Sequence, residues 1–303
     1  MKFICAQPAI DYYTWQVEVL INNFIRNNVN PNDIHIVCSH KGIISKKWES
    51  LATQYKSVNF FFYIDDRHNP SYISSVRPNV LYNHWKAHPE LENETIFYHD
   101  CDIIFTKPID FTNLEKGSTC YVSDTVSYIG AEYIKSKGQH YFELMTALVN
   151  VNKETVVANQ KNSGGAQYIL KGITANFWNK VYWDCENMFR LISRMQNGNP
   201  SEPFQIWCSD MWAVLWNLWV FNKTVAVSDE LSFLWATSST NDWNKHSIYH
   251  NAGVTSGNQK MFYKGSYMSA LPYNIKLEDF DPSKCSFKYA EEILKTKEVT
   301  CLS

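Results

Sequence analysis

The first 105 residues alternate between short apolar runs and longer segments whose apolar positions recur at helical spacing. Lys2 to Ala6 reads as a strand, and Tyr12 to Ile25 places its apolar residues on one helical face. Ile34-His35-Ile36-Val37-Cys38 has the pattern of a buried strand, Ser45 to Tyr55 that of a helix, and Val58 to Ile64 that of a strand. Pro78 suits the first turn of a helix that Val80 to His88 continues, and Thr95 to Tyr98 is a strand again. This alternation predicts an α/β fold with a mostly parallel, doubly wound sheet. Ligands of such sheets bind beyond the carboxyl ends of the strands, so the residues just after each strand carry the functional interest.

The second half is less regular. Ser118 to Asp124, Ala166 to Leu170 and Thr224 to Val227 read as strands; Asn176 to Met195 and Pro203 to Trp219 read as helices, separated by the loop Asn197-Gly198-Asn199-Pro200. From about Ala236 onward the chain is rich in Ser, Asn, Gly and Lys, with few long periodic segments. No repeat interrupts the pattern, so residues 1–303 are expected to form one domain, with a nucleotide-binding half over 1–105 and an acceptor half over 106–303.

Composition narrows the function. The chain is 45% hydrophobic and 19% charged, which excludes wholesale disorder. Lys plus Arg number 28 against 30 Asp plus Glu, so no global positive field gathers nucleic acid. The aromatic share of 15%, with 11 Trp, suits a large core as well as stacking on bases or sugars. None of the eight Cys, from Cys5 to Cys301, sits in a Cys-x-x-Cys pair; they read as small buried hydrophobes in a reducing compartment. No run of 18 apolar residues exists and the N-terminal segment reads as a strand, so a cytoplasmic protein without membrane partners is expected.

The sharpest motif is Tyr98-His99-Asp100-Cys101-Asp102-Ile103-Ile104-Phe105, an apolar strand running into Asp-x-Asp and back into apolar residues. In extended chain, residues i and i+2 face the same side, so Asp100 and Asp102 can converge on a hard cation that screens a diphosphate. The chain holds its own control in Asp279-Phe280-Asp281, which no buried strand precedes and Pro282 follows; it reads as a solvated loop. Arg77 stands at the start of a helix, a place that favours oxyanions, or is a surface cation at a loop end. Gly164 and Gly165 precede a strand, either to admit a ligand or to make a bulge. His250 lies in a late polar loop, where a neutral imidazole can complete a carboxylate metal site. Asp210 lies in the otherwise apolar segment Phe204 to Trp212, and Trp212, Trp216 and Trp219 form a core stripe; it is either a catalytic carboxylate or an N-cap or early-helix acid interacting with the helix dipole.

With these parts in view the sequence resembles metal-dependent glycosyltransferases of the GT-A fold, in which Asp-x-Asp, a Gly-Gly strand and a late His recur in this order. Within that class it is most similar to the peptidyl-serine galactosyltransferase and hydroxyproline arabinosyltransferase group of plants and algae. The matching stretches are Tyr12 to Gln16, Arg77 to Trp85, Ile96 to Ile109 and Asp210-Met211-Trp212. The resemblance implies a nucleotide-sugar donor, most simply UDP-linked, a hydroxyl acceptor on a glycan, peptide or modified base, and transfer with retention. It implies Mn²⁺ or Mg²⁺ bound by Asp100, Asp102 and His250, with Asp100 also able to hold the ribose. Ala6, Gln7 and Pro8 would edge the base and Tyr12 or Tyr13 stack on it. Arg77 would contact the diphosphate or sugar, Gly164 and Gly165 flank the sugar, and Lys260 or Lys264 reach the leaving phosphate, unless these lysines are surface charges. Asp210 would serve the reacting sugar.

The plant enzymes enter the secretory pathway and this chain shows no anchor, which points to a viral, phage or bacterial enzyme. Two rivals follow: a glycosyltransferase acting on modified DNA bases, supported by lysines such as Lys41, Lys46 and Lys47, and a metal-dependent nucleotidyltransferase, which has no need of His250.

Overall fold

The computed structural model describes residues 1–196 and 204–300. Among them are ten strands: β1 (Lys2–Pro8), β2 (Ile34–His40), β3 (Asn59–Ile64), β4 (Thr95–His99), β5 (Ile103–Phe105), β6 (Cys120–Asp124), β7 (Gly164–Lys171), β8 (Val225–Val227), β9 (Phe233–Trp235) and β10 (Ile248–His250). Seven form a mostly parallel sheet in the order β3-β2-β1-β4-β7-β6-β8, flanked by helices, as the alternating pattern predicts. The other three form a small sheet, β5-β10-β9. No helix among the described residues is long and apolar enough to cross a membrane.

Chain contacts divide the protein into two compact units, each assembled from separated stretches. The unit containing Phe3–Phe62, His99–Phe111 and the chain from Asp229 onward is built around aromatic residues. Trp15 and Val19 of the helix Asp11–Arg26 pack with Ile104 of β5, Leu234 of β9, Tyr249 of β10 and Tyr289 and Ile293 of the helix Cys285–Thr300, all 4% exposed or less. Tyr289 stacks on Tyr249 at 5.3 Å between ring centres, and Phe262 meets Trp15 edge-on at 5.8 Å. Burying side chains of this size contributes roughly 2 kcal/mol each. Asn23 then ties the short β5 to the helix: the Phe105 N–H donates to Asn23 Oδ1 at 2.7 Å, and Asn23 Nδ2 donates to the Phe105 carbonyl at 3.1 Å. The chain that follows the acidic pair is thereby held on both backbone groups.

The other unit contains Tyr63–Tyr98 and Thr112–Ser228, with residues 1–2. Its helices Val76–Ala87, Ala175–Gln196 and Ser209–Val220 pack on one another. Trp212 and Trp216 are fully buried and Trp219 is nearly so, which makes them the expected core stripe. Trp212 Nε1 donates to the Ile129 carbonyl and Trp85 Nε1 to the Ile173 carbonyl, so two buried indoles keep their hydrogen bonds.

Four elements differ from the sequence reading, one of them being His250, which was expected in a polar loop and lies in the buried strand β10. The helix Cys285–Thr300 lies in the segment read as aperiodic. Its buried Cys285, Tyr289 and Ile293 recur every four residues, a short apolar stripe hidden among lysines. Gly164 and Gly165 lie inside β7 rather than before it. The helix expected from Pro203 begins at Ser209, after a 3₁₀ turn at Ile206–Cys208; Pro203 itself, the loop Asn197 to Pro200, and Cys301 lie outside the described residues. The seven described cysteines are free and buried.

Candidate functional site

Asp100 and Asp102 do not sit in extended chain. They occupy the tight turn between β4 and β5, and the turn rather than the strand pleat brings them together. The third member arrives through the sheet: β10 runs antiparallel to β5, with His250 opposite Ile103, the residue after Asp102. Tyr249 points into the aromatic core, so its neighbour His250 takes the opposite face. The Asn251 N–H closes the arrangement by donating to the Asp102 carbonyl at 2.9 Å. His250 Nε2 lies 3.4 Å from Asp100 Oδ2 and 3.4 Å from Asp102 Oδ1. One ligand atom from each of the three residues lies within 4.8 Å of the others.

The imidazole is held by rings. β9 runs parallel to β10 with Trp235 opposite His250; the Trp235 indole stacks on His250 at 5.6 Å and 22°, and Phe233 lies 6.1 Å away on the same strand. His250 Nδ1 is buried without a hydrogen-bond partner among the described residues. A metal-binding His commonly takes its orientation from a hydrogen bond at the other ring nitrogen. Here stacking supplies that orientation. The sequence contained no signal for Trp235 or Phe233, because their role depends on strand register.

Asp102 is 4% exposed, a burial a bare carboxylate does not tolerate. Lys264 forms an ion pair with Asp102 Oδ2. Burial pushes the Asp102 carboxyl up, but Lys264 and His250 outweigh it and hold the carboxyl below the usual carboxylate range. Burial likewise works against the Lys264 ammonium, and Asp102 more than offsets it. Two carboxylates and an imidazole brought together form a donor set suited to a divalent cation. Their 3.4 Å spacings are close to the roughly 3 Å edge of an octahedral shell with bonds of about 2.1 Å. The residues present therefore fit a metal.

No protein-family model matches the chain, and no curated protein sequence does. Among solved structures, the apo form of the bifunctional glycosyltransferase WbbM superposes with a TM-score of 0.52 at 12% identity, over 99% of this chain. The fold is that of a GT-A glycosyltransferase. The chain spans about half of WbbM, 51% of its length. The galactosyltransferase LgtC, solved with donor and acceptor sugar analogues, gives 0.43 at 12% identity over 99% of this chain and 96% of LgtC. Mouse xyloside xylosyltransferase 1 gives 0.40 at 8%, over 83% of this chain and 98% of that one.

The remaining residues singled out from sequence fall as follows. Ala6, Gln7 and Pro8 close β1, in register with Val37, Cys38 and Ser39 of β2. The Gln7 amide is turned onto β2, with Nε2 3.2 Å from Cys38 Sγ and 3.4 Å from the Val37 carbonyl. Tyr12 is half-buried in the first turn of its helix, edge-on to Tyr13 at 4.9 Å, and burial raises its phenol pKa. Lys260 is exposed and its carbonyl accepts from the Asp281 N–H, whereas Lys264 is the lysine on the acidic pair. Asp279 is exposed and Asp281 accepts from the Ser283 N–H, as expected of a solvated loop.

In the other unit, Arg77 lies in the first turn of its helix and its guanidinium pairs with Asp210 Oδ2. The Tyr72 hydroxyl donates to Asp210 Oδ1 at 2.6 Å. Asp210 is 6% exposed, so both oxygens of a buried carboxylate are engaged. Burial, reinforced by Asp210, pushes the Tyr72 phenol pKa up. Gly164 sits against β6: a Cβ there would lie 2.3 Å from the Ser123 carbonyl oxygen and 2.3 Å from Val122 Cγ2. The pairing of β6 and β7 shifts register between Val122 and Ser123, opposite Ala166 and Gln167, and Ala166 takes a left-handed φ of 68°. The bulge and the close backbone approach account for Gly164 without a ligand.

Proposed function

We propose that this protein is a metal-dependent glycosyltransferase that moves a hexose or pentose, with retention, from a nucleotide sugar to a hydroxyl acceptor. The observation that carries the reading is the meeting of Asp100, Asp102 and His250 on a GT-A fold, from a turn and a strand far apart in sequence. His250 favours this reading over a nucleotidyltransferase, which needs the carboxylates alone. The mixed oxygen and nitrogen donor set favours Mn²⁺ over Mg²⁺, which prefers oxygen ligands. LgtC was solved with donor and acceptor sugar analogues, and a UDP-linked donor with a sugar acceptor is the corresponding proposal here.

In this reading Asp100 and Asp102 offer oxygens to the cation and His250 offers Nε2, its ring kept in plane by Trp235. A bound divalent cation supplies positive charge against the departing diphosphate. Asp210 is the proposed carboxylate for the reacting sugar. Tyr72 and Arg77 take one oxygen each, which fixes the plane of the carboxylate. Similarity of Asp210-Met211-Trp212 to the peptidyl-serine galactosyltransferase group supports that role.

The deciding experiment incubates the protein with a panel of nucleotide sugars, with Mn²⁺ or with EDTA, and follows free nucleotide. Release from one donor, dependent on Mn²⁺, is expected even without acceptor, as slow hydrolysis. Absence of release and of any nucleotide binding across the panel overturns the reading.

A further inference from the structure

Both oxygens of Asp102 are committed before any cation enters: Oδ1 faces His250 and Oδ2 holds the Lys264 ammonium. Lys264 is therefore not a bystander at the metal centre. We infer that it is a resident counter-cation that makes metal and nucleotide diphosphate bind cooperatively. The inference rests on the metal-dependent reading above.

The argument is one of charge. Asp100, Asp102 and Lys264 together carry one net negative charge at neutral pH. A divalent cation alone turns that to one net positive charge and places a dication beside an ammonium, in surroundings where Asp102 is 4% exposed and water screens poorly. Lys264, on the other oxygen of the same carboxylate, is then repelled with no second anion in place to receive it. A diphosphate brings at least two negative charges, enough to take the ammonium and balance the dication. Each ligand thus removes the electrostatic cost of the other.

The side chain is able to make the exchange. The Lys264 side chain is 31% exposed, on a flexible four-carbon stem. Its backbone starts the one-turn 3₁₀ helix Lys264–Tyr267, which Tyr267 anchors by stacking on Phe262 at 5.4 Å and 11°. The anchor is fixed while the ammonium can swing. A lysine that only solubilised the surface would have no reason to bury against the most enclosed carboxylate of the site.

The test is calorimetry of Mn²⁺ binding to the full chain, with and without saturating UDP, for wild type, Lys264→Met and Lys264→Arg. Wild type is expected to bind Mn²⁺ weakly alone and about tenfold or more tightly with UDP, and UDP to gain the same factor from Mn²⁺. Lys264→Met should bind Mn²⁺ alone about tenfold more tightly than wild type and lose most of the coupling. Lys264→Arg, which keeps the charge, should keep the coupling. The inference is overturned if Lys264→Met binds Mn²⁺ no more tightly, or if Lys264→Arg behaves like Lys264→Met. Should Lys264→Met fail to fold, wild type alone decides: Mn²⁺ affinity unaffected by UDP overturns it. No Mn²⁺ binding by any form, with or without UDP, removes the metal-dependent reading itself.

Discussion

Asp102 holds a negative charge inside the protein with an imidazole on one oxygen and an ammonium on the other. Asp102→Asn keeps the volume and removes the charge. Loss of detectable Mn²⁺ binding is expected, with Asp279→Asn as the unaffected control; calorimetric titration with Mn²⁺ in the presence of UDP reads both. Wild-type affinity in Asp102→Asn would return the residue to a structural ion pair. His250→Ala should weaken Mn²⁺ by at least about tenfold, the lower end of what even outer-sphere changes do to metal sites. Asp210 demands a different measurement because it is itself half of a buried pair with Arg77. Asp210→Asn should lose roughly 1.5–3 kcal/mol of stability, the range for a hydrogen bond to a charged partner. If Asp210 also serves the reacting sugar, turnover should fall by about two to four orders of magnitude. Thermal melting and turnover on the same variant separate the two contributions, and a stability loss with near-normal turnover would leave Asp210 a structural residue.

The bulged pairing of β6 and β7 shows why a Gly-Gly dipeptide is ambiguous on its own. The two glycines face different surroundings. A Cβ on Gly164 meets backbone, the Ser123 carbonyl, while one on Gly165 meets Tyr168 Oη at 2.6 Å and Met211 Cε at 2.9 Å, the far ends of two side chains. Backbone in a paired strand cannot step aside, and side-chain ends can. Gly164→Ala should therefore cost more than Gly165→Ala, by about 1–3 kcal/mol, the usual range for overpacking. Urea unfolding midpoints of the two variants check this, and equal losses would contradict it. The helix Cys285–Thr300 makes the complementary point. Its apolar stripe of Cys285, Tyr289 and Ile293 is too narrow to stand out by composition, and the stripe becomes decisive only because Trp15 and Tyr249 are there to receive it.

For the whole molecule, a ligand that binds only the folded state stabilises it by mass action, about 2.7 kcal/mol at a hundred times its dissociation constant. Mn²⁺ with UDP should raise Tm by about 5 °C for a chain of this size, and EDTA should reverse the rise. Scanning calorimetry without a rise in wild type, or with the same rise in Asp102→Asn, contradicts the proposed centre. The order of strands and helices over residues 1–105 was legible in the sequence, because the spacing of apolar residues is a local consequence of which face is buried. The acidic pair was legible too, since Asp-x-Asp after an apolar strand has few other uses. The tertiary structure alone decided the rest. Asp100 and Asp102 meet through a turn, not a pleat, and His250 joins them only because β10 pairs antiparallel with the far earlier β5, with His250 opposite Ile103. Lys264 rather than Lys260 reaches Asp102, and Arg77 is bound to Asp210. Periodicity records which side of an element is dry; which charged groups share that enclosed space depends on strand register and on the partners that make their burial tolerable.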